Sequence, residues 1–366
     1  MMQHPFQMDF IDMLRKDAHD VTVLTQARNK PHEKVRKDLN VIWFPWQTVR
    51  GRLVDINFFD AKNVSALISL IYNGVRHVRG ITKEKEIDLV ICLWIIPSGL
   101  YMYISSLLKM TRAPYVLWAL GSDINKYRKN IFVRFLLKKI IRRSAHVFAD
   151  GFELCAAIKE LSGKDCAFLP TFRKIDGQPA IHKESGNAVS FLYVGRHAKV
   201  KGIDLLIDAV ISLEKSSPEL DYRVIIAGEG ELTPRMMERV EEHGLNHRVI
   251  FEGQVSDDRL FALYSQADCV VIPSRSESIP VVFSEALQFN NPMIVTDVGD
   301  MGALGRRYGV ARVIGAGNAA ALAEALRKFV EEPFDLNPEK RNELLSLLMM
   351  ENSLQKMLGA IPVGAK

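Results

Sequence analysis

SRSESIPVVFSEAL, residues 274–287, places two glutamates, Glu277 and Glu285, on either side of a proline. Pro280 has no backbone N–H and a fixed φ suited to the first turn of a helix, so a helix is expected to begin near it. Upstream, Val270, Val271 and Ile272 make a short apolar run, the pattern of a strand buried on both faces. The reading is therefore a strand, a loop over Pro273–Ser278, and a helix. Glu277 then falls in the loop and Glu285 on the helix. With a rise of about 1.5 Å per helical residue, the two carboxylates can hold different parts of one extended ligand. The N–H groups of Ile279 and Val281 lie at the positive helix end, which suits a phosphate. A capped surface helix with two solvated glutamates would show the same spacing.

AVSFLYVGRHAKVKGIDLLIDAV, residues 188–210, reads the same way. It has a strand over Val189–Val194, a turn at Gly195, a basic loop, and an amphipathic helix from about Gly202. Arg196 and Lys201 sit between strand end and helix, the edge at which parallel α/β sheets bind ligands. Two cations there suit a diphosphate, whose charge has to be neutralised as it departs.

These segments, with VIIAGEGEL (224–232), VIFEGQVSDDRLFALYSQADCVVIPSRSES (249–278) and NPMIVTDVGDMGAL (291–304), resemble the family-4 retaining glycosyltransferases, the group-1 glycosyl transferases of the GT-B fold. The likeness is specific over residues 187–332, looser over 86–170 and faint before that. It implies two Rossmann-like, doubly wound α/β domains facing a cleft. It also implies that Gly195, Arg196 and Lys201 meet the donor diphosphate, that Glu277 faces the donor sugar, and that Glu285 holds the nucleotide ribose. Glu277, Lys201 and Arg196 are thereby the expected catalytic residues. Ser278, with Ile279 and Val281, completes the donor set, although the family usually has glycine at position 278.

Domain boundaries follow from the pattern. An N-terminal acceptor-side domain is expected over 1–172, a polar linker over 173–187, the nucleotide-sugar domain over 188–335, and a C-terminal helical segment over 336–366. A single helix, Arg341–Leu358, is expected in that last segment, either crossing back to the N-domain or packing on the C-domain. Strands are expected at Val21–Thr25, Val41–Phe44, Tyr115–Ala119, His146–Ala149 and Cys166–Leu169. LVICLWIIPSGLYMYISSLL (89–108) is uncharged for twenty residues, near the length that spans a bilayer. Its Pro97-Ser98-Gly99 centre is a turn signal, so it reads as a buried strand, a loop and a helix. That loop is expected to line the interdomain cleft. ALGSDI (119–124) puts Gly121 and Asp123 just past a strand, where the resemblance implies an acceptor-side role; a helix N-cap accounts for the same residues. Pro97 and Ser98 join them as acceptor-side candidates. Family members begin with a strand and a glycine-rich loop, whereas this chain opens on helical spacing at Phe10, Met13 and Leu14. The N-domain is therefore expected to lack its first strand, because the start is internal, the domain rearranged or the copy degraded.

The net charge of +5 conceals an asymmetry. Residues 1–170 hold 26 Lys and Arg against 16 Asp and Glu, and the remainder holds 22 against 27. Much of the excess lies in 126–143. There Ile131, Phe132, Phe135, Leu136 and Ile140 can share one helical face, with Lys129, Arg134, Lys138, Lys139, Arg142 and Arg143 supplying charge. That is the pattern of an interfacial helix on anionic lipid; an ordinary helix covering the sheet is the alternative. No nucleic-acid-binding motif accompanies the charge. Cys92, Cys155, Cys166 and Cys269 are scattered without a metal-ligand spacing, which points to a reducing compartment and away from structural zinc. Met1–Met8 is polar and mixed rather than a signal peptide.

The expected activity is transfer of a hexose from a UDP- or GDP-linked sugar to a hydroxyl of a glycan or lipid-linked acceptor. Configuration is retained and neither cofactor nor metal takes part. The expected location is cytoplasmic, peripheral on the inner membrane face. A non-catalytic GT-B protein that binds a nucleotide, or a membrane-associated scaffold, is the alternative.

Overall fold

The computed structural model describes residues 5–27, 38–46, 61–121, 124, 130–175 and 188–359. The chain divides into two compact units, Met1–Pro170 with Met350–Lys366, and Thr171–Met349.

The first unit contains strands β1 (Thr22–Gln26), β2 (Asn40–Phe44), β3 (Val90–Leu93), β4 (Tyr115–Ala119), β5 (His146–Ala149) and β6 (Ala167–Phe168). Its helices are α1 (Pro5–Lys16), α2 (Ala61–Glu84), α3 (Leu100–Leu107), α4 (Ile131–Arg143) and α5 (Phe152–Ser162). All strand pairs are parallel. β1 pairs with β2, and β3 to β6 form a second sheet in chain order; no pairing joins the two groups among the described residues. Side chains alternate across a strand, and β4 uses both faces. Tyr115, Leu117 and Ala119 enter a core with Cys92, Leu100, Leu137 and Ile140. Trp118 points the other way, with Phe6 and Phe10 of α1 at ring distances of 5.8 and 5.1 Å. Its indole N–H donates to the Leu169 carbonyl at 2.9 Å.

Three expectations for this unit need correction. Pro97-Ser98-Gly99 is not an open loop. Trp94–Gly99 folds into a closed, kinked turn, with Ile96 extended (φ −125°, ψ 126°), in which the Ser98 hydroxyl donates to the Leu93 carbonyl and, at 2.9 Å, to that of Trp94. Gly99 is needed there because a Cβ would lie 2.6 Å from the Leu117 side chain. The face expected on α4 is also divided. Ile140 is fully buried with Leu137 and Ile141, while Ile131, Phe132 and Phe135 are 75%, 82% and 61% exposed. The helix covers the core with one stripe and keeps a separate apolar group in solvent near its start. Finally, the single helix expected over Arg341–Leu358 is two, α12 (Pro338–Leu348) and α13 (Met350–Gly359), numbered after the helices introduced below. Met349 between them is extended (φ −64°, ψ 127°), and the chain changes unit at this point, so the expected segment 336–366 is split. No described helix is long and apolar enough to cross a membrane.

The second unit is a six-stranded parallel sheet: β7 (Val189–Val194), β8 (Tyr222–Ala227), β9 (Val249–Gly253), β10 (Cys269–Ile272), β11 (Met293–Thr296) and β12 (Ala311–Ile314). Helices α6 (Ile203–Ser216), α7 (Thr233–Glu242), α8 (Asp257–Gln266), α9 (Val281–Gln288), α10 (Met301–Tyr308) and α11 (Ala319–Glu331) connect them, and α12 follows. The spatial order is β12-β11-β10-β7-β8-β9. β10 and β11 are buried along their whole length, as strands covered on both faces are.

Trp118→Ala should destabilise the first unit by about 3–5 kcal/mol, because it removes a fully buried aromatic and its hydrogen bond. Denaturant unfolding followed by a probe in that unit measures it.

Candidate functional site

In the second unit the strand order reverses between β7 and β10, which are neighbours although far apart in sequence. Such a switch point, at the carboxyl ends of the strands, is where parallel α/β sheets bind ligands. Two loops meet there. One runs from Gly195 through a short helical turn, Lys199–Lys201, to Gly202 at the N-cap of α6. The other runs from Pro273 to Pro280, the N-cap of α9. Pro280 is thus extended (φ −72°, ψ 148°) and lies just before the first turn, where its carbonyl accepts from the Phe283 N–H at 2.9 Å.

The loops are locked together by backbone contact. Gly202 has φ +74°, and a Cβ on it would lie 1.9 Å from the Pro273 carbonyl oxygen. Only glycine combines that conformation with that approach. Beside it, the Arg275 N–H donates to the Val200 carbonyl at 2.8 Å. The Arg275 guanidinium grips both oxygens of Asp204, at 2.6 and 2.8 Å, and the Lys199 carbonyl. On the far side Gly299 (φ +53°) lets the backbone after β11 close on the Glu277 carbonyl, which a Cβ would approach to 2.2 Å.

This packing brings Lys201 and Glu277 into direct contact. The Lys201 ammonium donates to Glu277 Oε1, which also accepts from the Ser274 hydroxyl at 3.3 Å. Their side chains are 32% and 14% exposed, and they line a small cavity with Tyr193, Ile272, Pro280 and Val282. Arg196 is half-buried and has no ion-pair partner among the described residues; its carbonyl accepts from the Tyr193 hydroxyl at 3.2 Å. The backbone N–H groups of Ile279, Val281 and Val282 find no protein acceptor among the described residues. Cations, unpaired N–H donors and one helix N-terminus therefore share one loop pair, a combination that suits a phosphorylated ligand. The Ser278 hydroxyl is buried there without a partner among the described residues, while its carbonyl accepts from the Asp300 N–H at 3.3 Å.

Glu285 is placed differently. Its side chain is 5% exposed; Oε1 accepts from Arg173 at 3.4 Å and Oε2 from the Tyr264 hydroxyl at 2.8 Å. Burial pushes its carboxyl up from the ordinary range, and Tyr264 and Arg173 oppose that shift. Burial likewise pushes the Tyr264 phenol well up. Of the acceptor-side candidates in the first unit, Pro97 and Ser98 belong to the folded turn already described. Gly121 is left-handed (φ +86°), and its carbonyl accepts from the Ile124 N–H at 3.2 Å. Asp123 lies outside the described residues, as do 126–129 and the linker residues 176–187.

Sequence reasoning missed Arg275, Asp204, Gly299, Tyr264 and Arg173. Arg275 stood inside the quoted loop, but its partner is 71 positions away. Arg173 falls in the expected linker, and no local pattern marks a residue whose partners are all distant.

Gly202→Ala should cost more than about 1 kcal/mol, since alanine resists φ above zero and its Cβ collides with Pro273. A lowered melting temperature, with loss of contact between Lys201 and Glu277 in a crystal structure, is the expected outcome.

Two family models match, Glycosyl transferase 4-like over residues 2–150 and Glycosyl transferases group 1 over residues 175–345. A glycosyltransferase assigned to teichuronic acid biosynthesis, TuaC of Bacillus subtilis (strain 168), is 30% identical over 278 residues, covering 72% of this chain and 66% of that protein. The alpha-D-kanosaminyltransferase of Streptomyces kanamyceticus is 23% identical, covering 63% of this chain and 58% of that protein. The chain thus spans just under two-thirds, or less, of the length of these curated relatives. Among solved structures, sucrose-phosphate synthase of Thermosynechococcus elongatus superposes with a TM-score of 0.74 at 17% identity, covering 96% of this chain and 92% of that one. Anabaena HepE in complex with UDP and glucose superposes with a TM-score of 0.66 at 16% identity, covering 88% and 86%. With two parallel α/β units and these family matches across most of its length, the chain belongs to the group-1 glycosyl transferases and has the GT-B fold.

Proposed function

We propose that the protein transfers a hexose from a UDP- or GDP-linked sugar to a hydroxyl of a glycan or lipid-linked acceptor, with retained anomeric configuration. The observation that carries this reading is the meeting of Lys201 and Glu277 at the switch point, beside Arg196, which has no ion-pair partner among the described residues, and the N-terminus of α9. In the reaction the bond from the anomeric carbon to the diphosphate oxygen breaks, and both electrons leave with the diphosphate. Arg196, Lys201 and the N–H groups at Ile279–Val282 stabilise that charge. Glu277 orients the sugar hydroxyls and Glu285 accepts from the ribose. The acceptor oxygen bonds the anomeric carbon, and its proton passes to the departing phosphate. The side-chain cations fill the neutralising role that a divalent metal has in other transferases, so metal independence is part of the proposal. Support comes from relatives named as sugar transferases and from the UDP held by the Anabaena neighbour.

The same reading sets the protein on the inner face of an anionic membrane. Exposed Ile131, Phe132 and Phe135 stand on one helix with Arg134, Lys138 and Lys139, and the Lys139 ammonium lies 4.5 Å from the Phe135 ring centre. Apolar groups that enter the headgroup region beside cations that attract it are the two requirements of interfacial binding.

Lys201→Ala should lower the transfer rate by about a hundredfold or more while leaving the circular dichroism spectrum unchanged. It should also abolish binding of the preferred nucleotide when UDP, GDP and ADP are titrated calorimetrically. Turnover near wild type would defeat the assignment. Replacing Phe132 and Phe135 together by serine should release the protein from phosphatidylglycerol vesicles in co-sedimentation; undiminished binding would remove this helix from the membrane contact.

A further inference from the structure

Arg173 is the third residue of the second unit, at the start of the connection between the units. It is nevertheless among the few buried charged residues, 7% exposed. Its guanidinium donates to Asp257 Oδ2 at 2.6 Å and to Glu285 Oε1 at 3.4 Å, and lies 5.0 Å from the Phe261 ring centre. The backbone around it is bound to the same helix that carries Glu285. The Gln288 side chain donates to the Arg173 carbonyl at 2.8 Å and accepts from the Ile175 N–H at 3.0 Å. Two residues earlier, the Thr171 hydroxyl donates to the Ile279 carbonyl at 3.5 Å. Three contacts thus fasten residues 173–175 to α9, and a fourth ties Thr171 to the loop just before it.

We propose that Arg173 is a positioning residue of the donor site, which keeps the buried Glu285 ionised and turned so that it can accept the hydroxyls of a nucleotide ribose. This rests on the role given to Glu285 above. The groups facing Glu285 are few. Tyr264 and Asp257 come from α8, and Arg173 comes from the connection. Tyr264 is neutral and Asp257 repels a second negative charge, so Arg173 is the one positive charge against it among the described residues. A carboxylate buried to this degree holds its charge only when a cation compensates the lost hydration. Asp257 fixes the guanidinium by the shorter contact and leaves the longer one on Glu285. A carboxylate has about four acceptor positions, so one bond on each oxygen leaves about two of them unused. If Glu285 takes a proton, part of that capacity becomes a donor and the ribose contact weakens.

The test separates charge from packing. Arg173→Gln keeps an amide that can donate to Glu285 but removes the charge, and Arg173→Lys keeps the charge. Wild type and both variants are titrated with UDP and GDP, and with the 2′,3′-dideoxy form of whichever binds, from about pH 6 to about pH 9. In Arg173→Gln, affinity for the ribonucleotide should fall at least about tenfold at neutral pH and recover as pH rises and Glu285 ionises. Affinity for the dideoxy form should stay unchanged. Stability should move the opposite way: Glu285 then has a folded pKa raised further above its unfolded value, so the variant loses stability relative to wild type as pH rises. Arg173→Lys should bind like wild type. Equal affinities and parallel pH profiles in wild type and Arg173→Gln overturn the proposal. So does a loss in Arg173→Lys, which decides the matter even if Arg173→Gln does not fold. Failure of wild type to bind either nucleotide overturns the donor-site reading itself, and that result is seen before any variant is measured.

Discussion

The approach of Gly202 to the Pro273 carbonyl is the constraint on which the rest of the site depends. Two loops that leave neighbouring parallel strands ordinarily diverge as their helices turn to cover the sheet. Here the absence of a side chain at residue 202 lets one backbone rest on the other. Three consequences follow from that contact. The Arg275 N–H reaches Val200, the Arg275 guanidinium reaches Asp204 in the first turn of α6, and Lys201 arrives at Glu277. An exposed ion pair contributes little, but Arg275 and Asp204 form a two-pronged pair and are only 28% and 22% exposed. Paired N–H···O bonds of that kind fix orientation as well as distance. The Lys201–Glu277 contact is therefore held in place by contacts lying just behind it.

In the first unit the organising constraint is different. Its strands fall into two parallel groups, and the wholly buried β4 is covered on opposite faces by α1 and by the core of α3 and α4. α4 has to supply Leu137, Ile140 and Ile141 to that core. A stripe at positions 137, 140, 141 and 144 takes up one side of a helix, and Ser144 is buried with it. Ile131, Phe132 and Phe135 fall outside the stripe, so nothing in the packing of the sheet explains their apolar character. The cations toward the helix end differ among themselves in the same way. Arg142 and Arg143 are engaged internally, with the Ser162 carbonyl and with Ser106. Arg134, Lys138 and Lys139 form no ion pair among the described residues, and the Lys139 ammonium lies over the Phe135 ring.

The parts of this architecture that sequence made legible are those fixed by local pattern. Val189–Val194, Tyr115–Ala119 and His146–Ala149 are strands with the bounds that apolar runs and turn residues suggest, because parallel strands buried on both faces need unbroken apolar sequence. Lys201 and Glu277 were findable because strand, loop and helix signals put both at carboxyl strand ends. What stayed hidden depends on distance along the chain. The division of α4 could not be read, since a helical wheel shows which residues share a face but not which face meets the sheet. Nor could the break at Met349, where no proline or glycine interrupts the helical pattern and a change of packing partner ends the helix. The turn at Trp94–Gly99 was signalled as a loop by Pro97 and Gly99, but its closure depends on Ser98 bonding backward and on Leu117 from another strand.

The two glutamates of the opening motif share a helix end and a spacing, yet hydration separates their roles. Glu277 and Lys201 keep 14% and 32% of their side-chain surface exposed, at the mouth of a small cavity. Under the proposed function a diphosphate replaces that partner and brings more negative charge to Lys201 than one carboxylate does. Glu285 lies at the other extreme. Breaking a buried pair by removing one partner costs about 3–5 kcal/mol, because the remaining charge has lost its water. Under the proposed function one exchangeable and one fixed carboxylate have distinct uses: the group beside the leaving diphosphate changes partners in each cycle, whereas the group that anchors the nucleoside stays where it is. The same spacing can supply both only because Glu277 precedes the helix, at its solvent-facing mouth, and Glu285 lies in the second turn, on the face that α8 and residues 171–175 cover.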